Sequence, residues 1–338
     1  MSEKKGMTIN QRTAVVLGVV VIVALVGAVW YFNQPVAGKT QLIVSTTTSF
    51  YETGFLATLK TAFETKYSQY NVSFISQGTG LALATASRGD ADLVLVHAPS
   101  SEKIFLTNGT GVNRKIVAFN YFLLVGPADD PAGIEGLSVV DALKKIAAAG
   151  LTGDALWVSR GDKSGTNTKE IALYKLAGLD TVNLAAEKDP SGNPWYLSAG
   201  AGMTATLQLA DQKGAYTLTD IASFLTNTAN GNIDLVEYIG PGKDMLNVYS
   251  VIVINPSWKN YRGTFTAATD FEKFLLSTEG QNLFGSFGVQ GQTVFKPWLP
   301  LKNGGTDATT IQWIESYAYI NGTECPEKFR VQATDLYK

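Results

Sequence analysis

Hydrophobic and polar positions along this chain switch between two periods. Residues 42–44 (LIV) form a short apolar run that predicts a buried strand. Leu56, Leu59, Phe63 and Tyr67 follow at spacings of three and four, which places them on one face of a helix. Residues 72–75 predict a second strand. Gly78-Thr79-Gly80 opens a short Ala/Leu helix, and residues 92–96 (DLVLV) read as a third strand. Strand and helix in strict alternation imply a parallel sheet covered by helices.

Two later runs resemble each other: residues 121–127 (YFLLVGP) and 250–256 (SVIVINP). Each is a long apolar strand ended by Pro. Between them lies a further α/β stretch, with helices predicted near 139–149, 165–177 and 203–213 and strands at 156–158 and 215–218. After Pro256 the pattern predicts helices near 267–276 and 279–287. The economical reading is an α/β chain in two lobes, crossing between them at both look-alike strands. Lobe one combines 40–120 with 257–338, lobe two spans 126–247, and the hinge strands lie at about 119–127 and 248–256. One large doubly wound sheet is the competing topology. The segment 302–338 carries an aromatic run, Trp313, Tyr317 and Tyr319, to which the pattern attaches no function.

The N-terminus is different in kind. Residues 14–32 (AVVLGVVVIVALVGAVWYF) hold no charge and no Pro, and about 20 apolar residues span a bilayer as a helix. Trp30 and Tyr31 stand where interfacial aromatics belong. Lys4, Lys5 and Arg12 against Glu3 make the preceding end net +2, and positive flanks stay inside. The expectation is a cytoplasmic 1–13, an uncleaved single-pass anchor at 14–32, a linker at 33–39 and everything beyond on the outer face. A cleaved signal peptide is the alternative. Three weak glycosylation triplets, beginning at Asn71, Asn108 and Asn321, fit an outside location.

Composition narrows the chemistry. One His (His97) and one Cys (Cys325) fall short of the three or four ligands of a protein-built zinc site and exclude an intramolecular disulfide framework. The near-neutral charge of −2 argues against a nucleic-acid protein. Subtracting the +2 end leaves −4 for residues 33–338, so the outer part is mildly acidic.

The most informative motifs are small hydroxyl and glycine residues where strands hand over to helices. Thr46-Thr47-Thr48-Ser49, Gly78-Thr79-Gly80, Ser164-Gly165-Thr166 and Gly200-Ala201-Gly202-Met203-Thr204 all sit there. Helix N-termini expose unpaired N–H groups, and Ser and Thr add hydroxyl donors; together they can hold an anion. Ordinary N-capping is the better account of any single one of them. Four on the switch side of an α/β fold point to a ligand crevice. Arg160 follows a strand in Ser159-Arg160-Gly161-Asp162-Lys163-Ser164-Gly165-Thr166, with a guanidinium suited to an oxyanion and Asp162 placed to orient it. His97 ends a buried strand and reads as a hydrogen-bonded structural residue. The chain has no Gly-x-Ser-x-Gly elbow. Arg88-Gly89-Asp90 and Arg160-Gly161-Asp162 are adhesion tripeptides in form only.

These strings, with Gly89-Asp90-Ala91-Asp92-Leu93-Val94-Leu95-Val96-His97-Ala98-Pro99, Gly111-Val112-Asn113-Arg114, Gly126-Pro127-Ala128-Asp129-Asp130-Pro131 and Gly214-Ala215-Tyr216-Thr217-Leu218-Thr219-Asp220, run collinearly over about 41–290. Together they resemble the tungstate-binding proteins of ABC-type uptake systems, within the type II periplasmic-binding-protein fold. The resemblance implies two hinged lobes closing over one dehydrated oxyanion. It also implies a site lined by Thr47, Thr48, Gly78, Thr79, Arg160, Ser164 and Thr166, with Thr204 and Tyr216 as weaker carry-overs. No cofactor and no catalytic residue is implied; the partners are tungstate and a membrane permease. The segment past about Pro300 and the N-terminal span have no counterpart in that pattern.

The same Arg-x-Asp-x-Ser-Gly-Thr string resembles phosphate-binding proteins. Phosphate keeps a proton at neutral pH and benefits from a buried carboxylate acceptor. Tungstate, molybdate and sulfate do not. At the end of the third strand, where phosphate binders carry that acceptor, this chain reads Val96-His97-Ala98-Pro99. The expectation is therefore tungstate capture, with molybdate, sulfate or phosphate as alternatives in the same class. An exported α/β hydrolase built around His97, or an adhesion module, is the alternative from another class.

Overall fold

The computed structural model describes residues 38–320, so the apolar stretch 14–32 and the only Cys lie outside the described residues. Among those described, no helix is long and apolar enough to cross a membrane.

The first lobe begins as predicted. Strand β1 (Thr40–Thr47) leads through the short helix α1 (Thr48–Glu52) into α2 (Phe55–Lys66). Strand β2 (Tyr70–Gln77), helix α3 (Thr79–Ser87) and strand β3 (Leu93–Val96) follow. β1 pairs in parallel with both β2 and β3, so both strand-to-helix turns open at the same edge of the sheet. Helix α4 (Pro99–Thr107) comes next; its start at Pro99 suits a residue with no N–H to satisfy.

Strand β4 (Gly111–Gly126) is 16 residues long and buried throughout. It begins ten residues before the predicted apolar run, because Asn113, Arg114 and Lys115 are buried polar residues that interrupt the hydrophobic signal. Its first part pairs with β9 and its last part with β7 and β8, so one strand serves both halves of the molecule.

The second lobe contains α5 (Val139–Thr152), β5 (Trp157–Ser159), α6 (Gly165–Leu176), α7 (Thr181–Ala186), β6 (Tyr196–Ser198), α8 (Met203–Lys213), β7 (Thr217–Asp220), α9 (Ile221–Ala229) and β8 (Val236–Ile239). Strand β9 (Leu246–Ile254) then runs antiparallel to β3 and β4. The return to the first sheet thus falls between β8 and β9, ahead of the look-alike run at 250–256. α10 (Phe265–Leu276) and α11 (Thr278–Ser286) cover that sheet. The short strands β10 (Gly288–Val289), β11 (Gln292–Thr293) and β12 (Lys296–Pro297) lead into α12 (Trp298–Gly304) and α13 (Ala308–Ala318).

The core positions the first turn of α1. Phe50 is fully buried against Tyr249 (centroids 4.9 Å apart) and Phe295 (5.1 Å), and Phe55 packs on Phe284 at 4.8 Å. A buried Phe contributes about 1.5–3 kcal/mol. The cluster therefore anchors Thr47, Thr48 and Ser49, immediately before Phe50.

Candidate functional site

The hydroxyls after β1 divide by what they touch. Ser45 donates to the Ala82 carbonyl (3.1 Å) and Thr46 to that of Leu95 (2.8 Å), so both serve the sheet. The next two residues face the cleft. Thr47 caps α1 by accepting from the Phe50 N–H at 3.4 Å. Thr48 Oγ1 accepts from Arg160 Nη2 across the cleft.

Arg160 follows β5 and is 1% exposed. Its Nε donates to Asp162 Oδ2 at 3.0 Å, while Asp162 Oδ1 accepts from the Ser164 N–H at 3.1 Å. One carboxylate thus orients the guanidinium and the start of α6 together. The turn needs Gly161: it sits at φ +64°, and a Cβ there would lie 1.9 Å from Ser198 Oγ. Ser164 caps α6 by accepting from the Asn167 N–H at 3.2 Å, which leaves its own proton for another acceptor.

The lobes are in contact along this line. Gly78, ahead of α3, lies against the Asp162 carbonyl and the Ser164 backbone. Gly165 lies so close to His97 that a Cβ would come within 2.7 Å of the ring. Thr204 Oγ1 donates to Glu52 Oε2 at 3.1 Å. Burial pushes the Glu52 carboxyl pKa up, opposed by that hydrogen bond and by the charge of Arg160.

Within this contact zone three buried donors lack a hydrogen-bond partner among the described residues: Thr79 Oγ1, Arg160 Nη1 and Thr166 Oγ1. Thr79 is 1% exposed and Thr166 is fully buried. An unsatisfied buried polar group costs about 1–3 kcal/mol, more when charged. Three from two lobes, one of them cationic, suit an anion held between them.

Seven residues named from the sequence (Thr47, Thr48, Gly78, Thr79, Arg160, Ser164 and Thr166) are joined by these contacts or stand beside them. Two are placed differently. Thr204 is engaged at the rim, where it also accepts from Asn227 Nδ2 at 3.3 Å. Tyr216 donates to Asp130 Oδ1 (2.6 Å) and accepts from the Ala132 N–H (3.0 Å), so its hydroxyl braces the loop after β4.

Sequence reasoning missed a buried relay. Asn120 Nδ2 donates to the Val294 carbonyl at 3.2 Å, and Asn247 Nδ2 donates to Asn120 Oδ1 at 2.8 Å. Asn247 Oδ1 therefore accepts from His97 Nδ1 at 2.8 Å. That assignment leaves His97 Nε2 as an acceptor, 3.1 Å from Thr47 Oγ1 and 3.4 Å from Ser49 Oγ. The Thr47 proton is thus turned to His97. Polar Asn120 and Asn247 inside two apolar strands were the available signal. Ser49, His97 and Asn247 align like a nucleophile, base and orienting amide. Yet Ser49 and His97 are buried, and burial lowers the imidazole pKa to about 4, a weak base at neutral pH.

A profile of the PBP superfamily domain matches residues 34–279. A Haloferax volcanii protein that carries the provisional name of an ABC transporter anion-binding protein is 46% identical over 267 residues, 77% of this chain and 73% of that one. The tungstate-binding protein TupA of Peptoclostridium acidaminophilum is 36% identical over 264 residues, 77% of this chain and 86% of its own. The solved structure of the tungstate-binding protein TupA from Desulfovibrio alaskensis G20 shares 35% identity at a TM-score of 0.62, covering 77% of this chain and 99% of that one. Helices α12 and α13 lie beyond the profile match.

Proposed function

This chain belongs to the PBP superfamily, among the tungstate-binding proteins of ABC transporters, and on that premise we propose that it captures tungstate outside the cytoplasm and hands it to a membrane permease. The observation that carries this reading is the trio of partnerless buried donors, Thr79 Oγ1, Arg160 Nη1 and Thr166 Oγ1, in the zone where the lobes meet. Around them stand the Arg160–Thr48 contact, the Ser164 hydroxyl and the start of α3, whose Gly78 cap brings no side-chain oxygen to the first turn. Closure over an oxyanion gives each donor an acceptor. Ligand drives closure only through its greater affinity for the closed form.

A proton-free dianion fits this donor set better than phosphate does. Asp162, the carboxylate that holds Arg160, is already engaged by Arg160 and Ser164, which leaves it poorly placed to accept a phosphate proton. The ligand-contacting set is Thr47, Thr48, Gly78, Thr79, Arg160, Ser164 and Thr166. The lobes in this reading are 40–120 with 257–338, and 126–247. Residues 14–32 anchor the chain in the membrane, with 1–13 in the cytoplasm and the linker 33–39 holding the binding lobes on the outer face.

Competitive calorimetry on the full chain in mild detergent tests the reading, with tungstate, molybdate, sulfate and phosphate. Tungstate should bind tightest, and tighter binding of phosphate would overturn the donor-only argument. Recovery of the full chain in the membrane fraction, with the binding lobes open to external protease, tests the anchor.

A further inference from the structure

Helix α13 is fastened to the first lobe at its C-terminal end. The fully buried Arg114 donates through Nη1 to the Ala318 carbonyl at 2.7 Å and through Nε to Glu102 Oε2 at 2.7 Å. Glu102 also receives the Ala98 N–H (2.7 Å) and the Ser250 hydroxyl (2.6 Å), which ties α13 to α4, β4 and β9 at once. Ile314 and Ala318 are buried beneath the helix.

From this anchorage Tyr317 reaches the other lobe. Lys169 Nζ, on α6, lies 4.6 Å from the centre of the Tyr317 ring and 5.9 Å from that of Phe122. Lys169 is only 8% exposed, and among the described residues it has no carboxylate at salt-bridge distance. Burial lowers its pKa to about 8, with Asp244 opposing, so it keeps its charge at neutral pH. The two aromatic faces add to that attraction. Lys169 is one turn beyond Gly165 on the same helix face, and both line a cavity of about 310 Å³ shared with His97 and Tyr317. The contact therefore lies one helical turn from the ligand cluster.

We propose that Lys169 and Tyr317 form a latch between the lobes, through which the C-terminal helix α13 stabilises the closed form and sets how fast the bound oxyanion leaves. The proposal rests on the tungstate-capture reading for its ligand. The latch joins α6 of one lobe to α13 of the other, so opening separates its halves. An interaction made only in the closed form raises the closed fraction, and apparent affinity rises with that fraction. Lys169 and Tyr317 act through the position of α6 and touch no ligand; they are positioning residues.

The test uses the full chain in mild detergent, tungstate as probe, and three variants. Tyr317→Leu removes the ring, Tyr317→Phe keeps it, and Lys169→Met keeps the stem but not the charge. Stopped-flow dissociation should be on the order of 3- to 20-fold faster for Tyr317→Leu and Lys169→Met, with association little changed. Tyr317→Phe should stay within about twofold of the parent, because the attraction is to the ring face. The double variant should release no faster than the quicker single one, since both changes delete one interaction. Parent-like release from Tyr317→Leu, or a Tyr317→Phe as fast as Tyr317→Leu, overturns the latch. A parent chain that binds no tungstate overturns the capture reading instead. Small-angle scattering of the ligand-free chain then still decides the latch: Tyr317→Leu should be more open than the parent, and identical profiles refute it.

Discussion

Arg160 Nη2 donates to the Thr48 hydroxyl across the cleft, while Nη1 of the same guanidinium is buried with no partner among the described residues. One side chain thus bridges the lobes and keeps a donor in reserve. Asp162 holds it by Nε alone, which leaves both terminal nitrogens for the cleft.

Arg160→Ala should weaken tungstate binding by about 2–4 kcal/mol, because the proposed site loses a buried guanidinium. Arg160→Lys should recover only part of that, since an ammonium cannot hold Asp162, Thr48 and ligand through a planar fork. Calorimetry reads both, and full affinity in Arg160→Lys would refute the fork.

Thr79→Val and Thr166→Val keep shape and remove a hydroxyl. Each should cost tungstate affinity about 1–2 kcal/mol while slightly raising the melting temperature of the ligand-free chain, because an unsatisfied buried donor disappears. These opposite signs separate ligand donors from structural hydroxyls. A fall in both quantities would assign them to the fold.

Gly165→Ala puts a methyl 2.7 Å from the His97 ring when the lobes meet. Overpacking of this kind costs about 1–3 kcal/mol and is relieved by opening. Affinity should fall about tenfold or more while ligand-free stability is kept. Unchanged binding would show that the lobes need not approach this closely.

His97 supplies a pH test. Its folded pKa, about 4, lies below the ordinary 6.5, chiefly through burial. The unfolded chain binds the extra proton between those values, so stability is complete above pH 6.5 and is lost as pH falls toward 4. The loss should reach no more than about 3 kcal/mol. Denaturant melts of the parent and of His97→Gln should diverge over that window. Parallel curves would show that another group carries the acid limb.

The strand-and-helix order of the first lobe was legible because its apolar residues follow clean periods, as Leu56, Leu59 and Phe63 do on α2. The start of β4 was not, because Asn113, Arg114 and Lys115 are polar residues buried by tertiary partners. The helices after Pro297 were missed as well. What holds α13, the Arg114 contact to Ala318, spans 204 positions and leaves no local trace.

By itself, the sequence determined which chemistry was available: hydroxyl and glycine residues at helix starts, Arg160 with Asp162 two residues on, one histidine and too few metal ligands. Local rules suffice for this, because capping preference and strand-to-helix order act over a few residues. Only the tertiary structure decided which donors stay unspent. Thr46, Thr47, Thr48 and Thr79 are alike in composition, yet one bonds the Leu95 carbonyl, one turns to His97, one takes Arg160 and one has no partner among the described residues. A hydroxyl can bind a ligand only if no protein group has claimed it first. In this chain the claimants lie about 50 to 110 residues away in sequence.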